Sequence, residues 1–227
     1  ASVDAAVDRV VAVFGRLDAV FIPAGILRQS PFTTCSMDDW TDVLAVHGAG
    51  HANIVAAAAR VMRRQRSGRI ITVTSGAAID GIGELAAYTT AKSAILGMTR
   101  AMAQGLAADG VMINAISPTA YTPMSRDVPP GDESPVPRRY RRREVDQVSA
   151  FVSYLASDLS AGVTGRVFMV SGGHVIEFEG PRALKSVQVA ETATPAEIRE
   201  DIRWLLRRPS QGVIGHRPTR DYDFVPE

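Results

Sequence analysis

The sequence predicts an α/β fold built on a mostly parallel sheet with helices on both faces. Short β-branched runs, LDAVFIPAG at 17–25, RIITVTS at 69–75, VMINAIS at 111–117 and RVFMV at 166–170, alternate with segments of helical apolar spacing. The intervals between these runs are far longer than a hairpin needs and suit helical crossovers between parallel strands. At 227 residues and 46% hydrophobic, the chain can bury one sizeable core, which implies one domain with an appendage.

The elements follow in order. Residues 2–14 place apolar groups three and four apart, and Gly15 stops that helix. The run 17–25 is a short buried strand entering a glycine turn. Ser36 with Asp39 three residues on forms a capping-box pattern, opening a helix that continues to about Met62. Ser67 and Gly68 break it, and the β-branched strand 69–75 ends at Ser75. A loop rich in glycine and alanine leads into a long helix over 85–106. Gly110 closes the next turn, and strand 111–117 is halted by Pro118. Residues 145–156 form an amphipathic helix, followed by strand 166–170 and the pair Gly172–Gly173.

Two stretches leave this rhythm. Residues 125–144 hold four prolines and the run RRYRRR at 138–143, and read as a mobile loop. Residues 181–227 read as a C-terminal extension packing on the domain formed by 1–180, with one helix at 194–206. Thr194 is its N-cap, Pro195 its first residue and Glu197 completes its first turn.

Composition excludes several function classes. A formal charge of +1 leaves no electrostatic footprint for nucleic acid. The single cysteine, Cys35, precludes an internal disulfide framework and suits a reducing cytoplasm. No apolar run reaches the roughly 20 residues of a membrane span.

The chemistry centres on Lys92, one of only two lysines, with Lys185, among 25 basic residues. Lys92 follows Tyr88 by four positions, which places both on one helix face. An ammonium beside a phenol lowers the tyrosine pKa from about 10 toward neutrality. Tyr88 then serves as a general acid toward a carbonyl oxygen and as a general base in reverse. Arginine would supply the charge but stays protonated and cannot pass a proton. Ser75 stands at the carboxyl end of a strand, the edge where parallel sheets bind ligands, and its hydroxyl suits the same substrate oxygen.

The set Ser75…Tyr88-x-x-x-Lys92, with FGRLDAVF before Ala24–Gly25, SGRIITVTS, NAISP ending at Pro118 and SAGVTGRVFMVSGG at 160–173, resembles the short-chain dehydrogenase/reductase family. The resemblance covers nearly the whole chain. It implies a Rossmann-like doubly wound parallel sheet, NAD or NADP as cofactor, and a homodimer or homotetramer. Within that family, AGILRQSPF, DDW…VHGAGH, NAISPTAYTPM and the tail GGHVIEFEGPRALKSV resemble the (3R)-hydroxyacyl-CoA dehydrogenase domains of peroxisomal multifunctional enzymes of type 2. That resemblance implies NAD-dependent oxidation of a 3-hydroxyacyl-CoA. Tyr88 would take the hydroxyl proton, Ser75 would orient the oxygen, and Lys92 would hold the ribose. Ala24, Gly25, Pro118 and Thr119 would line the cofactor beside Tyr88 and Lys92. Hydroxysteroid oxidation is the alternative substrate class, and a non-catalytic partner subunit with an incomplete cofactor site is the alternative outside enzymes.

The chain departs from the family in three places. The family opens with strands and a glycine-rich turn that receives the pyrophosphate, and residues 1–227 contain no counterpart, so the Rossmann-like sheet is expected to lack its N-terminal strands. The family's Asn-Asn-Ala-Gly turn is Ile22-Pro23-Ala24-Gly25 here. The helix asparagine of the family's proton relay is His47, a catalytic candidate or a helix histidine with a local hydrogen bond. His51 and Trp40 read as packing, Cys35 as non-catalytic, and Asp38, Asp39 and Asp42 as a solvated helix start. The arginines of 138–143 suit either the phosphates of coenzyme A or a solvated loop. Asp80 and Glu84 lie in the loop before Tyr88.

Overall fold

Four strands pair in parallel in the order in which the chain makes them. β1 (Ala19–Ile22), β2 (Gly68–Val73), β3 (Val111–Pro118) and β4 (Val167–Ser171) are neighbours, and β5 (His174–Phe178) joins β4 antiparallel. The computed structural model describes residues 2–120, 145–171, 174–180, 185–186, 194–206 and 215–216. The expected loop 125–144, its arginine run and the Gly172–Gly173 pair lie outside the described residues.

The strand period of two sets the layers. On one face Ile70 and Ile113 pack with Ile22 against α3 (His51–Gln65) and α5 (Ala86–Leu106), through Val55, Ala58, Met62, Ala103 and Leu106. On the other face Ile71, Val73, Ile116 and Val170 pack against Val148 and Leu155 of α6 (Val145–Ala156). Both faces of β2 are therefore covered, which is why the consecutive residues Ile70, Ile71, Thr72 and Val73 are all buried. Helix α1 (Ser2–Phe14) forms an outer layer, with Val7 against Ala57 and Val61 of α3.

Buried polar groups brace this frame by satisfying each other. Asn114, in the middle of β3, donates to the Val163 carbonyl at 2.8 Å and accepts from the Arg166 amide at 3.0 Å. It thereby fixes the turn that leads into β4. The Thr72 and Thr99 hydroxyls meet at 2.9 Å between β2 and α5.

Four local features differ from the sequence reading. Strand β1 pairs over four residues, ending at Ile22 opposite Thr72, because Pro23 has no N–H to continue the ladder. The helix expected to run unbroken to about Met62 is α2 (Met37–Leu44), a π-helical turn over Ala45–Gly50, and α3. The glycine- and alanine-rich loop contains a four-residue helix, α4 (Ala77–Asp80). The antiparallel β5 was not expected beside an otherwise parallel sheet.

Residues Gly180–Glu227 form a second compact unit. Its helix α7 (Pro195–Leu206) starts with a reciprocal cap: the Thr194 amide donates to Glu197 Oε2 at 2.8 Å, and the Glu197 amide to Thr194 Oγ1 at 3.4 Å. The Thr194 amide and hydroxyl, both donating to Oε2, hold the Glu197 carboxyl below its ordinary range. A two-residue parallel pair, β6 (Lys185–Ser186) with β7 (Gly215–His216), completes the described part. Among the described residues no helix is long and apolar enough to cross a membrane.

Candidate active site

Ser75, Tyr88, Lys92 and His47 gather at the carboxyl edge of the sheet. Ser75 follows β2 after one residue, and its Oγ accepts the Ala77 amide at 3.2 Å at the start of α4. Tyr88 and Lys92 lie one turn apart on α5, and the Ser75 side chain is near enough to the Tyr88 phenol to favour its ionisation. Lys92 is 2% exposed and donates from Nζ to the Val73 carbonyl at 2.8 Å. The Thr74 hydroxyl donates to the Lys92 carbonyl at 2.9 Å. This turn of α5 is thus tied to the end of β2 by two hydrogen bonds, and that tether sets where the ammonium points.

Burial dominates the ionisation of the pair. It lowers the Lys92 pKa to about 8, because a buried ammonium loses hydration. The same effect raises the Tyr88 pKa, with the Ser75 hydrogen bond opposing it. The sequence reading had Lys92 lowering the tyrosine, and here the balance runs the other way. The ammonium sits 5.5 Å from the Tyr88 ring centre with one N–H committed to Val73, so desolvation of the half-buried phenol outweighs it.

His47 stands behind the tyrosine on the π-helical turn, 1% exposed, its ring edge-on to that of Tyr88 at 5.4 Å. Its Nε2 lies 2.9 Å from the Ile26 carbonyl and 3.2 Å from the Ile26 amide. Burial lowers its pKa, and the charge of Lys92 adds to that, so the imidazole is neutral at pH 7. Gly25 makes room for it: a Cβ there would overlap His47 Cε1. Gly25→Ala is expected to destabilise the fold by about 1–3 kcal/mol, the usual cost of overpacking. Thermal unfolding should show most of that loss recovered when His47→Ser is combined with it.

The remaining cofactor candidates share this edge. Ala24 is exposed and Gly25 half-buried just past β1, while Pro118 ends β3 and the Thr119 amide donates to the Val170 carbonyl at 2.9 Å. These residues fit the nicotinamide and ribose end of a dinucleotide. Lys92 has two N–H groups beyond the one given to Val73, and the Tyr88 hydroxyl lies beside it. Among the described residues β1 is the sheet edge and no glycine-rich turn stands by to receive a pyrophosphate.

Other candidates fall away from the chemistry. Asp80 and Glu84 are exposed before α5, while Ser36 caps α2 by accepting the Asp39 amide and Asp39 pairs with Arg28 at 3.1 Å. Trp40 packs edge-on against Phe32 at 6.0 Å, and Cys35 Sγ donates to the Ser36 carbonyl at 3.6 Å. His51, read from sequence as packing, is 1% exposed beside His47, and burial lowers its pKa to about 4, with the Lys92 charge adding to that.

Comparison with known proteins agrees with this geometry. A family model described as enoyl-(acyl carrier protein) reductase matches residues 1–174. The chain is 32% identical over 174 residues to a 3-oxoacyl-[acyl-carrier-protein] reductase of Thermotoga maritima, covering 75% of this chain and 71% of that protein. It is 32% identical over 196 residues to the peroxisomal hydratase-dehydrogenase-epimerase of Saccharomyces cerevisiae, covering 84% of this chain and 21% of that one. The crystal structure of a short chain dehydrogenase from Mycobacterium avium superposes with a TM-score of 0.76 at 30% identity, over 94% of this chain and 72% of the other. A parallel sheet whose carboxyl edge gathers Ser75, Tyr88 and Lys92, together with these relatives, places the chain in the short-chain dehydrogenase/reductase family of NAD(P)-dependent oxidoreductases.

Proposed function

We propose that the protein oxidises a 3-hydroxyacyl-CoA to the 3-oxoacyl-CoA with NAD. The observation that carries the reading is the Ser75–Tyr88–Lys92 cluster, a hydroxyl, a phenol and a buried ammonium at one sheet edge. The substrate class is supported by the match to the yeast hydratase-dehydrogenase-epimerase. At 84% of this chain it must run past residue 174, where the family model ends.

NAD, held by Lys92 and the ends of β1 and β3, would supply the acceptor for the hydride leaving the carbinol carbon. Tyr88, as phenolate, takes the hydroxyl proton onto its oxygen. Ser75 holds the substrate oxygen by a hydrogen bond and lowers the tyrosine pKa while doing so. Lys92, charged below its pKa of about 8, offers the N–H groups not given to Val73 to a ribose. His47, neutral and edge-on to Tyr88, backs the ring as a hydrogen-bonding wall.

The test is the absorbance of reduced nicotinamide with the purified full-length protein, NAD or NADP, and a panel of 3-hydroxyacyl-CoAs and hydroxysteroids. The highest kcat/KM is expected for NAD with a 3-hydroxyacyl-CoA. A steroid alcohol turned over faster would make the protein a hydroxysteroid dehydrogenase. No turnover together with no nucleotide binding would make it a non-catalytic partner subunit.

A further inference from the structure

Thr74 stands between the end of β2 and Ser75 and is 2% exposed. Its amide donates to the Ile116 carbonyl of β3 at 2.8 Å, so the sheet still holds the residue although β2 has ended. Its hydroxyl donates to the Lys92 carbonyl at 2.9 Å. The carbonyl of the residue before it, Val73, accepts Lys92 Nζ at 2.8 Å. Lys92 is therefore gripped at its backbone and at its tip by two consecutive residues, and the residue after them is Ser75.

The grip is part of a register between strand and helix. Side chains two apart on a strand share a face, so Thr72 and Thr74 both meet α5. Thr72 Oγ1 lies 2.9 Å from Thr99 Oγ1, on the same side of α5 as Lys92 and further along it. Apolar contacts are non-directional, so Ile70 and its neighbours would pack as well against a helix displaced along its axis. A hydrogen bond tolerates only a narrow range of distance and angle. The Thr74 bond thus fixes the height and the rotation of the one turn of α5 that carries the chemistry. Packing alone would be served by valine at this position. We propose that Thr74 is a positioning residue whose hydroxyl holds the Tyr88–Lys92 turn of α5 in register with Ser75.

The proposal deepens the dehydrogenase reading and rests on it for the catalytic use of Ser75, Tyr88 and Lys92. The hydroxyl proton of Thr74 is committed to the Lys92 carbonyl, so its effect on the reaction runs through Lys92 and Tyr88. It joins the serine, which the strand end carries, to the tyrosine and lysine, which the helix carries. It thereby sets the spacing at which one substrate oxygen can meet both hydroxyls. Without it the helix survives, because its own backbone bonds remain. The turn would then be tied to the end of β2 only through the long, flexible lysine side chain.

Thr74→Val keeps the branched shape and removes the hydroxyl. In the full-length protein it is expected to lower kcat about tenfold with KM nearly unchanged, since small misplacements of reacting groups cost rate steeply. Thr74→Ser, which keeps the hydroxyl, should restore most of that loss. Thr72→Val is the control. It removes the other hydroxyl bonded between β2 and α5 and should cost stability in a thermal melt, while kcat stays close to wild type because the Thr74 bond still holds the reactive turn. Equal losses of kcat in the two valine variants overturn the proposal, as does no loss in Thr74→Val or a serine variant as slow as the valine one. The tether itself is read without substrate. With only Lys92 and Lys185 in the chain, lysine labelled with 13C at the carbonyl reports on Lys92, and Lys185→Arg assigns the resonance. It should move upfield in Thr74→Val and return in Thr74→Ser, and an unmoved resonance overturns the proposal whatever happens to kcat. Should the valine variant not fold, Thr74→Cys, whose thiol is a weak donor, takes its place with the same expected directions. The resonance tests the tether and wild-type turnover tests the dehydrogenase reading, so the two can fail separately.

Discussion

Tyr88→Phe is expected to lower kcat for 3-hydroxyacyl-CoA oxidation by about 10²–10⁴, the span that a positioned acid–base group contributes. KM should change little, because the loss falls on a group whose proton moves only in the transition state. The fold should survive. The ring packs beside Val43, Ala87 and Ala91 and edge-on to His47, and all of those contacts remain with phenylalanine. Removing a half-buried hydroxyl of this kind shifts stability by about 1 kcal/mol or less. Steady-state kinetics with a thermal melt on the same sample separates these effects, and a variant retaining a tenth of wild-type kcat would remove Tyr88 from the proton transfer. The pH dependence has a definite sign. Burial raises the phenol pKa, so wild-type oxidation should climb with pH as phenolate forms. The reverse reduction uses the protonated phenol beside a charged Lys92, and should decline as pH rises through about 8.

The parts of this site that were legible in the sequence are those carried by local pattern. A tyrosine and a lysine four apart must share a helix face, and a serine ending a β-branched run must stand at a strand end, so Ser75, Tyr88 and Lys92 could be gathered before any coordinates. The long helix α5 and the strands β2 and β3 were equally plain, since each is bounded by glycine or proline. What escaped depends on registers that local pattern does not encode. A π-helical turn leaves helical apolar spacing nearly intact, so Ala45–Gly50 read as continuous helix although it is what carries His47. Strand β5 did have a signal, because two glycines separate two short apolar runs at hairpin distance. The sense of the Tyr88 shift was out of reach, since it turns on how deeply the phenol is buried and on the Lys92 N–H going to Val73. The depth of His51 was out of reach for the same reason: only the fold shows it 1% exposed beside His47.

Lys92→Met is expected to abolish most activity and yet to make the protein more stable at pH 7. Burial lowers the Lys92 pKa from 10.5 to about 8, so between those values the unfolded chain holds a proton that the folded chain does not. Stability therefore rises with pH through that window, and below about pH 8 both states are charged and the folded one carries the full burial penalty. With the lysine 2% exposed, a shift of this size corresponds to about 3 kcal/mol. Methionine fills nearly the same volume without the charge. It forfeits the 2.8 Å bond to the Val73 carbonyl, which offsets about 1 kcal/mol of the gain. The net is about 2 kcal/mol, or about 4–8 °C in Tm for a chain of this length. Urea denaturation at pH 7 and again near pH 10 provides the check, since the advantage of the variant should shrink as the wild-type lysine titrates. A methionine variant less stable at pH 7 would mean that the buried ammonium keeps much of its hydration in the folded state. The size of the stability change thus measures how completely the fold strips Lys92 of hydration. That residual hydration determines whether the lysine is charged at the pH where Tyr88 must give up its proton.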